Sequence, residues 1–213
     1  MRFLIVLVLF LAAEAHARKI RVAGIYPNHT KGHLHCTCGL EGACITEAAI
    51  KRARAEGLDI NFTLVNKDWD VFGTLHAAQS VVSEKYDVAV GTLVSSDALV
   101  ASKVLESAGI PLVVPTATHP NVTAGKRFVT RIPFNDYRQA ALLARLALTD
   151  LSAKRIAVIR NASAPYSDFL GREFARSAKE RDASIEVSDY PIFEGFANFS
   201  KLLDKILQNK PDL

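Results

Sequence analysis

The densest set of reactive side chains lies in the stretch running from His29 to Cys44, HTKGHLHCTCGLEGAC. It holds Cys36, Cys38 and Cys44 together with His29, His33 and His35. Thiolates and imidazoles bind zinc or copper, but this spacing fits no standard zinc motif. Three arrangements therefore suit the stretch: one disulfide with an odd thiol, free thiols, or a metal site. Elsewhere the residue types that carry catalysis are scattered. The turn after the opening apolar run, Gly24-Ile-Tyr-Pro-Asn28, lacks the G-x-G-x-x-G of a dinucleotide site. There is no phosphate-binding P-loop and no G-x-S-x-G nucleophile elbow. His76 and His119 stand alone and read as surface or capping residues, and Asp68 and Asp70 flank Trp69 in what reads as a turn. The expectation is a protein that is not an enzyme and that needs no cofactor.

Composition agrees with an ordinary globular protein: 49% hydrophobic and 23% charged residues in 213. The formal charge of +4 is spread out, its densest cluster being Lys51, Arg52 and Arg54 on a predicted helix face. That pattern does not suggest a nucleic-acid surface. The longest apolar run, Phe3–Ala13, is shorter than the roughly 20 residues a membrane-spanning helix needs. With Arg2 before it and Ala15-His16-Ala17 after it, the run has the parts of a cleaved signal peptide over residues 1–17. The mature chain is then expected to start at Arg18, in the periplasm or outside the cell, where one disulfide among the three cysteines is favoured.

Behind the signal, short apolar runs alternate with amphipathic helices. Strands are predicted at Ile20–Ile25, Asp59–Val65, Val88–Val90 and Pro111–Val114. Between them fall helices at Gly42–Glu56 (Ile45, Ala48 and Ala49 on one face), along Val71, Leu75, Ala78 and Val82, and along Ala98, Ala101, Leu105 and Ala108. Arg127–Ile132 leads into a second series. It has a helix from Asn135 to Asp150 with Ala141, Ala144 and Leu148 on one stripe, a strand at Arg155–Ile159, and a helix at Ser167–Arg181 burying Leu170, Phe174 and Ala178. A strand at Ile185–Val187 and a helix lined by Phe199, Leu202, Leu203 and Ile206 follow, and Lys210–Leu213 reads as the approach to another strand. The alternation predicts an α/β fold of two parallel-sheet lobes, residues 18–133 and 134–213, the second cut short.

Several segments carry a resemblance. They are Asp87-Val-Ala-Val-Gly-Thr-Leu-Val-Ser-Ser96, Gly109-Ile-Pro-Leu-Val-Val-Pro-Thr-Ala-Thr-His-Pro120, Phe128-Val-Thr-Arg131, Lys154-Arg-Ile-Ala-Val-Ile159, and the C-terminal Phe199-Ser200, Leu202-Leu203 and Lys210-Pro-Asp-Leu213. Together they resemble the periplasmic leucine/isoleucine/valine-binding proteins, with the type I periplasmic binding fold of two Rossmann-like lobes. The resemblance implies the substrate-binding component of an amino-acid ABC transporter: a small zwitterionic ligand between the lobes and a membrane permease as partner. It also implies that the usual domain pair extends well past Leu213 and that the usual acidic partner of the ligand ammonium lies there. The loop after the first strand departs from the family, because the His/Cys stretch occupies it. An extracellular receptor or sensor domain of the same fold is the alternative, suggested by five N-x-S/T sequons at Asn28, Asn61, Asn121, Asn161 and Asn198.

By resemblance, Ser95 holds the ligand carboxylate, Thr118 contacts carboxylate and amine, the Thr116 carbonyl faces the ammonium, and Tyr166 closes over the ligand from the second lobe. Placement supports the same set, since ligands of open parallel sheets sit beyond the carboxyl ends of strands. Ser95 follows one predicted strand and opens a helix, whose N-terminus favours an anion. Thr116 and Thr118 follow the next strand. The plainer alternative makes Ser95 and Ser96 helix caps and Thr118 a turn cap.

Overall fold

The computed structural model describes residues 19–27, 38–67 and 70–213. The expected signal peptide, His29, His33, His35, Cys36, Asp68, Trp69 and the sequon at Asn28 lie outside the described residues. The first lobe contains β1 (Ile20–Pro27), α1 (Cys38–Ala55), β2 (Ile60–Lys67), α2 (Val71–Ser83), β3 (Val88–Gly91), α3 (Ser95–Ala108), β4 (Leu112–Val114), a 3-10 turn (Pro120–Val122) and β5 (Val129–Arg131). The strands form one parallel sheet in the order β2-β1-β3-β4-β5. Its interior strand β1 buries Val22, Ala23, Ile25 and Tyr26, so both faces are covered, as a parallel sheet requires. Ala78 and Val81 of α2, Ala98, Ala101 and Leu105 of α3, and Leu112 and Val114 of β4 complete the core.

Local chemistry sets where the helices start and stop. The Asp70 carboxylate accepts the Gly73 N–H at 2.6 Å and caps α2, which accounts for one of the two acids beside Trp69. Gly109, at φ +69°, ends α3 in a left-handed cap. Gly91 is the most constrained position in the sheet. Its φ is +134°, and a Cβ there would lie 2.3 Å from the Ile25 carbonyl oxygen of β1.

The helix α1 is rotated relative to the expected face. Ile45, Ala48 and Ala49 are exposed, while Ala43 is buried and Thr46, Ile50 and Ala53 are half-buried. Both sets recur at helical spacing in this alanine-rich helix, so periodicity alone could not choose between them. Contact with Tyr26 does choose. Gly42 lets the helix approach the Tyr26 ring closely, a Cβ there falling 2.8 Å from the ring. Thr46 gives its proton to the Gly42 carbonyl and lies 2.8 Å from the Tyr26 hydroxyl.

The second lobe contains α4 (Asp136–Arg145), continued by one π turn (Leu146–Asp150), then β6 (Arg155–Asn161), α5 (Pro165–Arg181), β7 (Glu186–Ile192) and α6 (Phe199–Gln208). Strands β6 and β7 pair in parallel. The strand β7 extends beyond the expected Ile185–Val187 because Arg160 of β6 holds it. That buried guanidinium binds both Asp189 carboxylate oxygens, at 2.8 and 2.7 Å, and also contacts Asp168 of α5. On α4 the buried stripe is Asp136, Ala140, Ala144 and Ala147, with Ala141 and Leu148 at its margin. Leu170 and Phe174 are half-buried and Ala178 is fully buried. On α6 only Ile206 of the expected set is buried, with Leu202 half-buried and Phe199 and Leu203 exposed. The C-terminal residues start the expected strand pairing on β6: the Asp212 N–H donates to the Arg155 carbonyl (2.7 Å) and the Ala157 N–H to the Leu213 carbonyl (2.8 Å).

Replacing Gly91 tests the close approach of β3 to β1. Gly91→Ala is expected to cost about 3 kcal/mol, lowering Tm by roughly 6–12 °C. Gly57→Ala is a useful comparison, because its φ of +96° is also positive but a Cβ there meets no atom within 4 Å. Equal losses in thermal denaturation would discount the β1 contact.

Candidate ligand-binding site

A cavity of about 290 Å³ opens between the lobes, lined by Leu93, Val94, Ser95, Thr116, Ala117, Thr118 and Tyr166. It lies beyond the carboxyl ends of β3 and β4, beside the point where the strand order reverses, which is the usual crevice of such sheets. All four residues expected at the site, Ser95, Thr116, Thr118 and Tyr166, border it. A neighbouring cavity of about 470 Å³ shares Val94 and is bordered by Asp70, Asp97, Asn161 and Glu194, among others. A further cavity, beside Arg155, Glu186 and Pro211, lies at the opposite, amino ends of β6 and β7.

Ser95 is the first residue of α3 and is buried. It is not the cap: Val94 occupies that position and makes no side-chain cap bond. Helix geometry leaves the first N–H groups, including those of Ser95 and Ser96, without intrahelical acceptors beside the cavity. The Ser95 Oγ accepts the His119 N–H at 3.3 Å, bridging the loops after β3 and β4. Thr116 donates its hydroxyl proton to the Leu93 carbonyl. Thr118 is not the turn cap either. His119 caps the 3-10 turn, its Nδ1 accepting the Asn121 N–H at 3.2 Å, while His76 is exposed on α2. Neither Ser95 nor Thr118 thus occupies the cap position of its element.

Tyr166 enters from the second lobe at the second position of α5, after Pro165 at the first. Its hydroxyl accepts from Gln139 Nε2 of α4 at 3.1 Å, which holds the ring at the cavity mouth. Phe169, one turn on, meets the His119 ring edge-on at 4.8 Å, so the two lobes touch beside the site. Two sequon asparagines have local structural work: Asn198 caps α6, and Asn161 accepts the Ser163 N–H. Cys44 is exposed with a free thiol, and Cys38 begins α1. Among the described residues no group of three or more His, Cys, Asp or Glu side chains is placed to hold a metal. No described helix is long and apolar enough to cross a membrane.

Sequence reasoning missed Asp136, which first appears as an ordinary acidic residue in a helix's first turn after the Asn135 cap. Its side chain is fully buried. Its N–H donates to the Thr118 carbonyl, as does the Arg131 Nη1, which also reaches the His119 carbonyl. Burial pushes the Asp136 carboxyl above the usual carboxylate range, against the opposing effects of the Thr118 hydroxyl, His119 and Arg131. Burial likewise lowers His119 below the usual imidazole range. A raised carboxyl binds its proton more tightly in the folded chain than in the unfolded one. Its favourable contribution is complete below the unfolded value and lost as pH rises through the folded one. At pH 7 Asp136→Asn is therefore expected to raise Tm by roughly 2–4 °C, an advantage that shrinks as pH falls toward 4. A constant difference across that range, measured by calorimetry, would show that ionisation of Asp136 is not the cause.

The sheet order, the crevice and the second lobe are those of the type I periplasmic binding fold. A leucine-binding protein of Thermotoga maritima superposes with a TM-score of 0.77 at 26% identity, over 90% of this chain and 54% of that one. The branched-chain amino acid transporter substrate-binding protein of Streptococcus pneumoniae, solved with isoleucine, superposes with a TM-score of 0.74 at 20% identity, over 89% and 54%. In sequence, a Leu/Ile/Val-binding protein of Rhizobium johnstonii is 32% identical over 138 residues, covering 64% of this chain and 37% of the relative. The Leu/Ile/Val-binding protein of Escherichia coli K12 is 29% identical over 136 residues, 63% and 36%. This chain thus spans little more than a third of the length of these curated relatives and about half of the solved ones. These relatives are solute-binding proteins rather than enzymes. The periplasmic binding protein family model matches residues 19–213, and with the fold and crevice that accompany that match, this chain belongs to the periplasmic binding protein family.

Proposed function

We propose that this chain forms the first lobe and part of the second lobe of an exported solute-binding protein that holds a small zwitterion, an amino acid, between its lobes. The observation that carries the reading is the convergence of Ser95, Thr116 and Thr118 of one lobe with Tyr166 of the other on a single cavity. The N-terminus of α3 and the Ser95 hydroxyl suit a carboxylate. The loop after β4 suits the amine, and hinge movement near Arg131–Asn135 brings Tyr166 over the ligand. The closed form is what a membrane permease of an ABC transporter would recognise, and no covalent step or cofactor is needed. The volume is small for a ligand pocket, which favours single amino acids over peptides.

The test is a thermal-shift screen of the chain against the amino acids, followed by calorimetry on any that stabilise it. Replacing Ser95 and Thr118 together by Ala removes two polar contacts and is expected to weaken binding at least about tenfold with Tm little changed. Tyr166→Ala is expected to weaken binding chiefly through faster release, since it removes the group that closes the site. Unchanged affinity in the double variant overturns the site, and a flat screen on a cooperatively folding chain overturns the ligand class.

A further inference from the structure

The guanidinium of Arg160 lies buried near the carboxyl end of β6, and no part of the cavity described above is built from it. A charge withdrawn from water must be paired, and here two carboxylates pair it. Its Nε and Nη2 donate to the two Asp189 oxygens of β7, at 2.8 and 2.7 Å, and its Nη1 donates to Asp168 of α5. A guanidinium is a rigid planar fork, so the two-point hold on Asp189 fixes its plane and with it the direction of Nη1. Asp168 has to come to that donor. The residue before it is held on the same strand, the Ser167 Oγ accepting the Asn161 N–H at 2.9 Å. Further along α5, Gly171 lets the helix lie against the Arg160 stem, a Cβ there falling 3.0 Å from its Cβ and Cδ. The first turn of α5 is thus pinned to the end of β6 through Ser167 and Asp168, and Tyr166 is the residue just before them.

We infer that Arg160 is a positioning residue for the cavity: acting through Asp168, it fixes where the first turn of α5 presents the Tyr166 ring. The inference rests on the proposed amino-acid-binding function. Tyr166 borders the cavity, and its hydroxyl is held by Gln139 Nε2 of α4. The tip of the ring is therefore fixed from one helix and its base, through Asp168 and Arg160, from the strand behind. A side chain held at both ends has little freedom left to lose when a ligand arrives, which favours affinity. Asp168 has a second partner, the Arg172 Nε, at 3.1 and 3.2 Å. Arg172 is exposed one turn along the same helix, so it cannot tie α5 to the strand, and pairs of this kind contribute little. The helix dipole would favour an acid at Asp168 as well, but it does not call for a buried guanidinium opposite. The link from strand to helix is what distinguishes the Arg160–Asp168 pair.

The experiment measures leucine binding and release by the full chain and by Asp168→Ala, Arg172→Ala and Tyr166→Ala, with Tm followed throughout. Asp168→Ala leaves Arg160 paired with Asp189, so the chain is expected to fold, with leucine affinity cut about tenfold through faster release. Arg172→Ala is expected to leave affinity unchanged. In a Tyr166→Ala background the effect of Asp168→Ala should disappear, because the side chain it positions is gone. The same loss in both backgrounds, or unchanged affinity in Asp168→Ala, overturns the positioning role. A second readout needs no ligand. With fluorotyrosine in the chain, the fluorine resonance of Tyr166, assigned by its absence in Tyr166→Phe, should shift in Arg160→Lys, which keeps the charge and loses the fork. It should stay in place in Arg172→Ala. A chain that ignores leucine counts against the proposed function, and this resonance then decides the link by itself: a Tyr166 signal indifferent to both Arg160→Lys and Asp168→Ala overturns it.

Discussion

The crevice depends on how closely β3 lies against β1. Gly91 ends β3 with its Cα so near the Ile25 carbonyl that no side chain fits between them. That contact sends the chain out of the sheet centre through Thr92 and Leu93 into α3. Ser95 is thereby set at a helix N-terminus, buried, directly beyond the strand ends. The loop after β4 runs alongside and is tied to it twice, by the His119 N–H on Ser95 and by the Thr116 hydroxyl on Leu93. The wall of the cavity is in effect two adjacent loops joined by hydrogen bonds across a strand boundary.

The second structural theme is charge at the crossing between lobes. Arg131 ends β5 and clamps the Thr118 and His119 carbonyls, and Asp136 begins α4 with its carboxylate turned inward. The two residues come from different lobes, Arg131 opposing the effect of burial on the Asp136 carboxyl, and burial lowers His119 beside them below the usual imidazole range. The segment between the two sheets thus carries a charged residue at each end. Tyr166 and Phe169 reach back from α5, with Gln139 fixing the Tyr166 hydroxyl. The cavity and the contact between the lobes share neighbouring side chains of α5 and of the loop after β4.

The second lobe is less completely covered than the first. Its core is small, built on Ala144, Ala147, Ala153, Ile156, Ala178 and Ile185, whereas Leu142, Leu143, Leu203 and Leu207 remain exposed. This explains where the sequence reading was weakest. Amphipathic spacing assumes a core against which each apolar stripe packs, so Phe199 and Leu203 read as buried although little of this chain covers α6. The same assumption misjudged α1 for a different reason: an alanine-rich helix offers two equivalent apolar faces, and a tyrosine on the neighbouring strand decided between them.

What the sequence determined by itself was the alternation of strand and helix, the start of a second series of elements after Arg131, and the candidate residues Ser95, Thr116, Thr118 and Tyr166. Each of these follows from local pattern: apolar runs bounded by turns, and polar residues just after them at strand ends. Tertiary structure alone decided that these four share one cavity, that Val94 and His119 rather than Ser95 and Thr118 do the capping, and that Asp136 lies buried behind the site. The reason is that burial and hydrogen-bond direction arise only when segments far apart in the chain meet. Asp136 reads as an ordinary first-turn acid until Thr118, eighteen residues earlier, is folded against it.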